Sequence, residues 1–242
     1  MSQALRVSLM LFTALEFCGV AAAADMPLKA PPLAPSYYNW SGFYLGANLG
    51  GSWGNQSGTI FVAGVPVAVT GFSPNGVIGG GQLGYNWQFN SNGLGNAWVL
   101  GLEADFQGSS ERDTNTFGAG GATGSLSDKL QWFGTVRGRT GIAFDRWLPY
   151  VTGGWAYGNR NFNGTVTTAA GATSFSNSNT LSGWTVGGGI EWAFWDRWSA
   201  KLEYLYVDFG NGGSNFNGVP TVNITNGHLT DNIGRAGVNY RF

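Results

Sequence analysis

The chain has 242 residues, of which 41 are glycine, 15% are aromatic and only 10% are charged, and its formal net charge is −1. Soluble globular domains carry about 25% charged residues, so the composition argues against an ordinary soluble domain. The absence of excess positive charge argues against nucleic-acid binding. After residue 24 no apolar run reaches the roughly 18 residues of a spanning helix, so any membrane-spanning structure must be a closed barrel.

The first 24 residues predict a cleaved secretory signal peptide. Arg6 precedes an apolar run that is interrupted only by Glu16 and ends in three alanines. We therefore predict a signal peptide over 1–24, with cleavage after Ala24. The single cysteine, Cys18, lies in this segment and lacks the preceding small residues of a lipidated cysteine. The mature chain is thus expected to have no thiol chemistry, disulfide or lipid anchor.

Residues 25–38 predict an extended, proline-rich periplasmic leader. Four of the eight prolines fall in this segment. Proline removes a backbone donor and favours extended conformations, which disfavours packing into a sheet or helix. The remaining residues, 39–242, are predicted to form a single outer-membrane β-barrel domain.

From Gly42 onward the side chains alternate in character with a period of two, which is typical of β-strands. Each segment is near or above the roughly 9–11 residues that a tilted strand needs to cross a bilayer. The pattern predicts an all-β fold, an eight-stranded antiparallel transmembrane β-barrel. The predicted strands are 42–53, 76–89, 97–108, 129–144, 148–158, 182–194, 198–207 and 230–242.

The two faces of these predicted strands differ in chemistry. In 76–89, one face carries aliphatic and aromatic residues together with Gly79 and Gly81, whereas Ile78, glycine, glutamine and asparagine occupy the other. A charge on the lipid face at the bilayer midplane costs about 2–4 kcal/mol for arginine or lysine, so charged side chains should face the lumen. The predicted lumen charge network is Glu103, Asp105, Arg137, Arg139, Glu191, Lys201, Glu203, Arg235 and Arg241. We expect Glu103 and Asp105 to face Arg137 and Arg139 across the hairpin that joins their strands.

The connections between predicted strands alternate in length. Short ones at 90–96, 145–146 and 195–197 alternate with long ones rich in glycine, asparagine, serine and threonine. This alternation is typical of outer-membrane barrels, with short periplasmic turns and long extracellular loops. Aromatic residues flank two of the short turns and predict an interfacial girdle. Tyr240 and Phe242 are interpreted as a carboxy-terminal signal for the barrel-assembly machinery.

No catalytic, cofactor or metal site is predicted, and we expect no enzyme activity. The triplet Gly79, Gly81 and Gly84 fits a dinucleotide-binding spacing, but it lies inside a strand and lacks the following helix. We interpret these glycines as making room for large neighbours in a narrow barrel. His228, with Asp231 three residues on, invites comparison with outer-membrane hydrolases, but no nucleophile and orienting partner accompany it. We interpret it as a solvated loop residue.

Several ordered motifs resemble one known family. They are Trp40-Ser-Gly-Phe-Tyr-Leu-Gly, Thr135-Val-Arg-Gly-Arg, Asp145-Arg-Trp, Tyr150-Val-Thr-Gly-Gly-Trp-Ala-Tyr-Gly, Lys201-Leu-Glu-Tyr and the Tyr-Arg-Phe end. The set resembles the alphaproteobacterial twenty-five and thirty-one kilodalton outer-membrane proteins, which are described as porin-like, and it spans residues 37–242. The resemblance implies an eight-stranded barrel in the cell outer membrane. It also implies a role in envelope integrity, attachment to surrounding layers and exposure to hosts, and for some members haemin binding.

The function expected from sequence is that of a structural, surface-exposed outer-membrane barrel that contributes to envelope integrity. An eight-stranded barrel has an interior just wide enough for its own side chains, so a lumen plugged by salt bridges is expected. A small-solute porin is the alternative, and an adhesin or ligand (haemin) receptor acting through the extracellular loops is the second alternative. Expected partners are outer-membrane lipid and lipopolysaccharide, the barrel-assembly machinery, and other envelope or host surface components.

Overall fold

A computed structural model of the protein describes residues 38–62, 65–73, 75–90, 96–119, 122–168, 171–211, 214–216 and 222–242. The predicted signal peptide, and the proline-rich leader up to residue 37, lie outside the described residues. Within the described ranges, no helix is long and apolar enough to cross a membrane.

The described residues form eleven strands, eight of which build the wall of a barrel. The strands are β1 (Gly42–Val62), β2 (Val65–Phe72), β3 (Asn75–Asn90), β4 (Asn96–Ser109), β5 (Arg112–Ala119), β6 (Ala122–Phe144), β7 (Trp147–Thr168), β8 (Gly171–Ala193), β9 (Trp198–Asn211), β10 (Ser214–Phe216) and β11 (Val222–Arg241). Each wall strand pairs antiparallel with its neighbours in the order β1, β3, β4, β6, β7, β8, β9 and β11, and β11 pairs with β1. The predicted eight-stranded antiparallel β-barrel is therefore confirmed.

Pairing between the first and last wall strands closes the barrel. Their register runs from Tyr44 opposite Arg241 up to Ser57 opposite His228, and it resumes after one irregularity. Closure leaves no unpaired strand edge in the wall, which satisfies the backbone hydrogen-bonding groups that a bilayer cannot satisfy.

The outer face of the wall is an apolar belt bordered by aromatic side chains. Leu83, Leu102, Val151 and Leu202 are all more than half exposed on this face. The aromatic ring stacks Trp147–Trp192 and Phe106–Trp132, with centroids 5.6 Å and 5.5 Å apart, lie toward opposite ends of the wall strands. This arrangement of aliphatic centre and aromatic borders matches a membrane-spanning wall.

The extracellular connections contain much more strand than the sequence predicts. β7 and β8 pair without interruption from Trp147 opposite Trp192 to Thr168 opposite Gly171, although residues 159–181 were expected to be a loop. β6 likewise begins at Ala122 rather than near residue 129, and β2, β5 and β10 are additional strands. The prediction was wrong here because most residues of these arms are polar, glycine or alanine, and the few apolar ones give only a weak amphipathic signal. Cross-strand hydrogen bonds form the arms.

The lumen is divided into an apolar layer at each end and a polar layer between them. Along β6, the buried inward residues pass from Ala143 through Arg139 and Arg137 to Phe133 and Leu130. The periplasmic apolar layer consists of Trp40, Ala97, Val99, Ala143, Leu148, Tyr150 and Ala193. The extracellular apolar layer consists of Ile78, Leu130, Phe133, Ala156, Leu181, Leu205, Val207, Phe209, Leu229 and Ile233. The second predicted strand suggested that the inward face is small and polar. The structure shows instead that this face is polar only in the middle layer and apolar in the layers at both ends.

Candidate functional site

The polar layer of the lumen contains eight charged side chains, which we call the lumen cluster. They project from β4, β6, β8, β9 and β11, and each residue is only 1% to 5% exposed. Four carboxylates balance four cations, so the cluster has no net formal charge. Its members are Glu103, Asp105, Glu191, Glu203, Arg137, Arg139, Lys201 and Arg235.

Arg137 lies at the centre of the cluster. Its position on β6 is directly opposite Glu103 on β4, and the two side chains form an ion pair. The same guanidinium contacts Asp105 at 2.9 Å and Glu203 at 3.0 Å. Arg139 lies 3.6 Å from Glu103, so the structure brings together the four residues that the sequence grouped across this hairpin.

Lys201 connects opposite sides of the barrel. Its ammonium group donates to both carboxylate oxygens of Glu103, at 2.9 Å and 3.0 Å. β4 and β9 are four strands apart in either direction around the eight-stranded wall, so this ion pair spans the lumen. Arg235 makes a second crossing, contacting Asp105 at 2.8 Å and Glu203 at 2.6 Å. Within the described residues, the cluster thus ties opposite walls together.

Two tyrosines extend the lumen cluster, and the sequence did not identify either as part of it. Tyr44 donates to Glu103 at 2.7 Å, and Tyr150 donates to Glu203 at 2.9 Å. The guanidinium of Arg139 lies 5.7 Å from the Tyr44 ring centroid and 4.2 Å from that of Tyr150. The sequence does place both tyrosines on the inward face of their strands, at the same level along the barrel axis as the charged residues, and this alternation could have identified them.

A glycine separates each tyrosine from its glutamate. Gly84 lies directly opposite Tyr44 on one side and Glu103 on the other, and a methyl group at Gly84 would overlap the tyrosine ring. Gly189 holds the same position between Tyr150 and Glu203. The interpretation that strand glycines make room for large neighbours therefore holds at Gly84.

Neutral polar side chains add further hydrogen bonds to the layer. Asn239 donates to Glu191 at 2.8 Å and accepts from Gln82 at 2.5 Å, and Gln82 also accepts from Asn48 at 2.9 Å. Ser199 donates to the same Glu191 at 2.5 Å. These partners satisfy carboxylate oxygens that the cations leave open, which lowers the cost of burying the charges.

Residues just before β1 fill the periplasmic mouth. Trp40 is 2% exposed, its indole N–H donates to the Asp145 carbonyl at 3.0 Å, and its backbone N–H donates to Gln88 at 2.6 Å. The backbone N–H of Tyr38 donates to the Asp145 side chain at 3.1 Å. Asp145 has a φ of +53°, the left-handed turn conformation that places both of its acceptors toward this segment. The end of the predicted leader is therefore a packed part of the barrel.

Arg241 lies outside the lumen cluster, so its assignment to the lumen network was wrong. Its guanidinium stacks 4.3 Å from the Tyr38 ring centroid, and it donates to the carbonyl of Asp196 at 3.1 Å and to that of Asn39. Burial raises the pKa of Tyr38, and the Arg241 charge opposes part of that rise. Its place near the end of β11 puts it at the periplasmic mouth rather than in the polar layer.

A smaller polar group lies within the extracellular apolar layer. Ser52 donates a hydrogen bond to Glu111, and Glu111 lines a small cavity together with the buried Asp231 and Arg160. The sequence placed Asp231 beside His228, whose side chain lies outside the described residues. In the described part of the chain, no group of three or more His, Cys, Asp or Glu residues is arranged to hold a metal ion.

A closed eight-stranded barrel with an apolar outer belt, aromatic borders and buried charges in its lumen is the architecture of an outer-membrane β-barrel protein. The chain belongs to the outer membrane protein beta-barrel domain family, whose model matches residues 10–242. The sequence-based assignment to the cell outer membrane is confirmed by this membership.

Curated relatives confirm the alphaproteobacterial resemblance. The chain is 37% identical to the 31 kDa outer-membrane immunogenic protein of Brucella melitensis biotype 1, with 93% of this chain and 95% of the relative covered. It is 26% identical to the 25 kDa outer-membrane immunogenic protein of Brucella abortus biovar 1, over 97% and 94%. It is 31% identical to the 22 kDa outer membrane protein of Rhizobium leguminosarum bv. viciae, over 71% and 65%.

Solved structures support the fold. The chain matches the outer membrane protease OmpT from Escherichia coli with a TM-score of 0.53 at 12% identity, covering 87% of this chain and 99% of that one. At this identity the likeness concerns the fold alone. It does not transfer proteolytic activity to this chain.

Proposed function

We propose that this protein is a structural, surface-exposed outer-membrane barrel that contributes to envelope integrity, and that its lumen is plugged and does not conduct small solutes. The observation that carries the proposal is the ion pairing of Glu103 with Lys201 across the full lumen. Arg137 and Arg235 fill the space beside this crossing.

The layers above and below the lumen cluster support a plug. Phe133 and Leu205 are buried on the extracellular side, and Trp40 and Leu148 are buried on the periplasmic side. A hydrated ion would have to displace both apolar layers and then separate paired charges that are already neutralised. Open aqueous channels occur in much wider barrels of about 16–18 strands.

A barrel with a closed lumen and ion pairs between opposite strands suits a structural role, because it does not make the membrane permeable to solutes. Buried ion pairs contribute little net stability, but they fix the partners that each strand can accept. The names of the Brucella relatives, outer-membrane immunogenic proteins, support exposure at the cell surface. The long strands of the extracellular arms provide the surface that would be exposed.

Single-channel recording of the refolded mature protein in a planar bilayer tests the plug. Its folded state is first verified by a heat-dependent mobility shift on a gel. We expect no conductance steps from the wild type, and steps from a variant that carries Phe133→Ala, Arg137→Ser and Arg235→Ser. We call this triple variant the opened variant. Conductance steps from the opened variant, once it passes the same mobility check, show that the assay can detect a pore. Reproducible steps from the wild type would instead favour the small-solute porin.

Deletion of the gene for this protein in its native bacterium tests the envelope role. We expect greater sensitivity to detergents and large antibiotics, restored by the wild type. Complementation by the opened variant should restore protein level but not the barrier to small solutes. Unchanged sensitivity in the deletion strain would contradict the envelope role. Binding of haemin by the wild type, lost on removal of the extracellular arms, would favour the receptor alternative.

A further inference from the structure

The outer face of the barrel changes character above the extracellular aromatic border. There β5, β6, β7 and β8 form a four-stranded sheet whose outward side chains align in cross-strand rows. We call the row nearest the aromatic residues the cationic row and the next two the hydroxyl rows. The cationic row is Arg112, Lys129, Asn161 and Ser178, and the hydroxyl rows are Thr114, Ser127, Asn163 and Ser176, then Thr116, Ser125, Thr165 and Ser174.

The cationic row lies one outward position beyond the aromatic border. Trp132 stacks on Phe106 and contacts Tyr157 at a ring distance of 6.2 Å. Trp132 pairs with Asn159, and the next outward pair is Lys129 with Asn161. Aromatic rings favour the membrane interface, so the cationic row is at the height of the outer-leaflet headgroups.

Arg112 and Lys129 are placed directly opposite each other on this face. Like charges in a directly opposed cross-strand pair destabilise a sheet, because their β-carbons are only about 5 Å apart. Arg112 is exposed and Lys129 is partly exposed. Neither forms an ion pair with any carboxylate that the structure describes. An anion between them would remove the repulsion.

The hydroxyl rows offer alternating donors and acceptors to a sugar. Thr165 and Ser174 hydroxyls lie 3.1 Å apart, and Thr114 donates to Ser127 at 3.4 Å. The side chains of Ser125, Ser127, Asn163, Thr165, Ser174 and Ser176 line a shallow groove across β6, β7 and β8. A face of short hydroxyl and amide side chains suits the hydroxyl groups of a saccharide more than an apolar partner.

We infer that the cationic row binds the phosphate groups of a phosphorylated glycolipid of the outer leaflet, lipopolysaccharide, and that the hydroxyl rows contact its sugars. Arginine and lysine are the usual phosphate-binding side chains, and Asn161 and Ser178 add neutral donors beside them. The glycolipid is the source that fits, because the row is fixed at headgroup height. The inference rests on the outer-membrane location of the barrel and not on whether its lumen conducts.

The direct test measures binding of lipid A to the refolded protein in detergent micelles, with dephosphorylated lipid A as the second ligand. We expect the Arg112→Gln/Lys129→Gln variant to bind lipid A about tenfold or more weakly, the effect of losing roughly 1.4 kcal/mol. The matched control, Arg146→Gln/Arg197→Gln, removes two cations from the periplasmic turns and should bind within about twofold of wild type, as expected for sites far from the ligand. Equal affinity of the wild type for both ligands, or unchanged affinity of the first variant, would overturn the inference.

A second test uses the like-charge repulsion itself. In micelles without glycolipid, the Arg112→Gln/Lys129→Gln variant should unfold at a temperature equal to or above that of the wild type, because the repulsion is removed. With lipid A present the order should reverse, since only the wild type gains ligand stabilisation. The same order with and without lipid A would contradict the site. If inorganic phosphate alone stabilises the wild type as much as lipid A does, the row is a free-phosphate site and the glycolipid assignment is wrong.

Discussion

The hydroxyl group of Tyr44 donates a 2.7 Å hydrogen bond to Glu103 across the strand that separates them. The intervening residue is Gly84, which has no side chain to obstruct the ring. Tyr150 repeats the relationship with Glu203 across Gly189. The two arrangements brace β1 against β4 and β7 against β9, and both glutamates belong to the ion pairs that cross the lumen.

Gly84→Ala should therefore destabilise the barrel. The added methyl group would overlap the Tyr44 ring and displace it from Glu103. Overpacking a well-filled interior costs about 1–3 kcal/mol. The measurement is the urea unfolding midpoint in lipid vesicles, read by gel mobility. Gly81→Ala on the same strand is the control, since its methyl group would meet no atom closer than 3.7 Å and should cost little. Equal losses for both variants would argue against the steric role of Gly84.

Arg137→Ala should cost more than the double substitution Arg137→Ala/Glu103→Gln. The single change leaves four buried carboxylates against three cations, and breaking one side of a buried pair costs about 3–5 kcal/mol. The double change restores an equal number of each sign. A double-mutant cycle of unfolding midpoints measures the difference. Arg241→Ala, at the periplasmic mouth, should have a smaller effect than the single substitution. A double variant as unstable as the single one would count against pairing in the lumen cluster.

Trp40→Ala should lower the stability of the barrel by about 3–5 kcal/mol, the usual loss for removing a buried tryptophan. Trp40 is 2% exposed and holds the periplasmic mouth through its indole hydrogen bond to Asp145. Trp40→Phe should lose less than Trp40→Ala, because it keeps an aromatic ring in the mouth and removes one hydrogen bond and part of the packing. Chemical unfolding in vesicles measures both. The control is Trp195→Ala, which is 69% exposed in a periplasmic turn. Similar losses at Trp40 and Trp195 would show that the mouth is not held by Trp40.

Leu102→Arg should impair membrane insertion, whereas Ser176→Arg should not. Leu102 is 57% exposed on the outer apolar belt. An arginine that faces lipid near the middle of the bilayer costs about 2–4 kcal/mol. Ser176 is exposed on the extracellular sheet, where a surface substitution costs within about 0.5 kcal/mol. Folding yield and unfolding midpoint in vesicles report the difference. Equal folding yields and unfolding midpoints for the two variants would contradict the assignment of Leu102 to the lipid-facing belt and of Ser176 to the sheet outside the membrane.

The alternation of side chains predicted the wall because the bilayer imposes a strict rule on each strand. Leu102 had to face lipid and Glu103 the lumen, since the reverse would place a charge in hydrocarbon. The pairing of Glu103 with Arg137 was predicted because their strands are consecutive in the wall and both side chains face the lumen. The family was also recognisable from ordered motifs in the sequence.

The polar extracellular arms were beyond prediction for the opposite reason. Ser176 pairs with Asn163, and Ser125 with Thr165, in regular strands that water surrounds. Water tolerates polar side chains on either face, so the apolar alternation that marks a membrane-spanning strand is weak in these residues. The cationic row of Arg112 and Lys129 was missed with them, because it exists only once β5 folds against β6.

The sequence by itself determined the closed barrel and which face of each wall strand meets lipid and which meets the lumen, because the surroundings on the two sides select side chains one strand at a time. Only the tertiary structure decided which lumen residues meet across four strands, as Glu103 meets Lys201. It also decided that Trp40 enters the periplasmic mouth and that Arg241 stays outside the lumen cluster. These contacts depend on strand tilt, barrel width and the heights of side chains on opposite walls. Those quantities are set when the sheet closes and leave no local pattern in the chain.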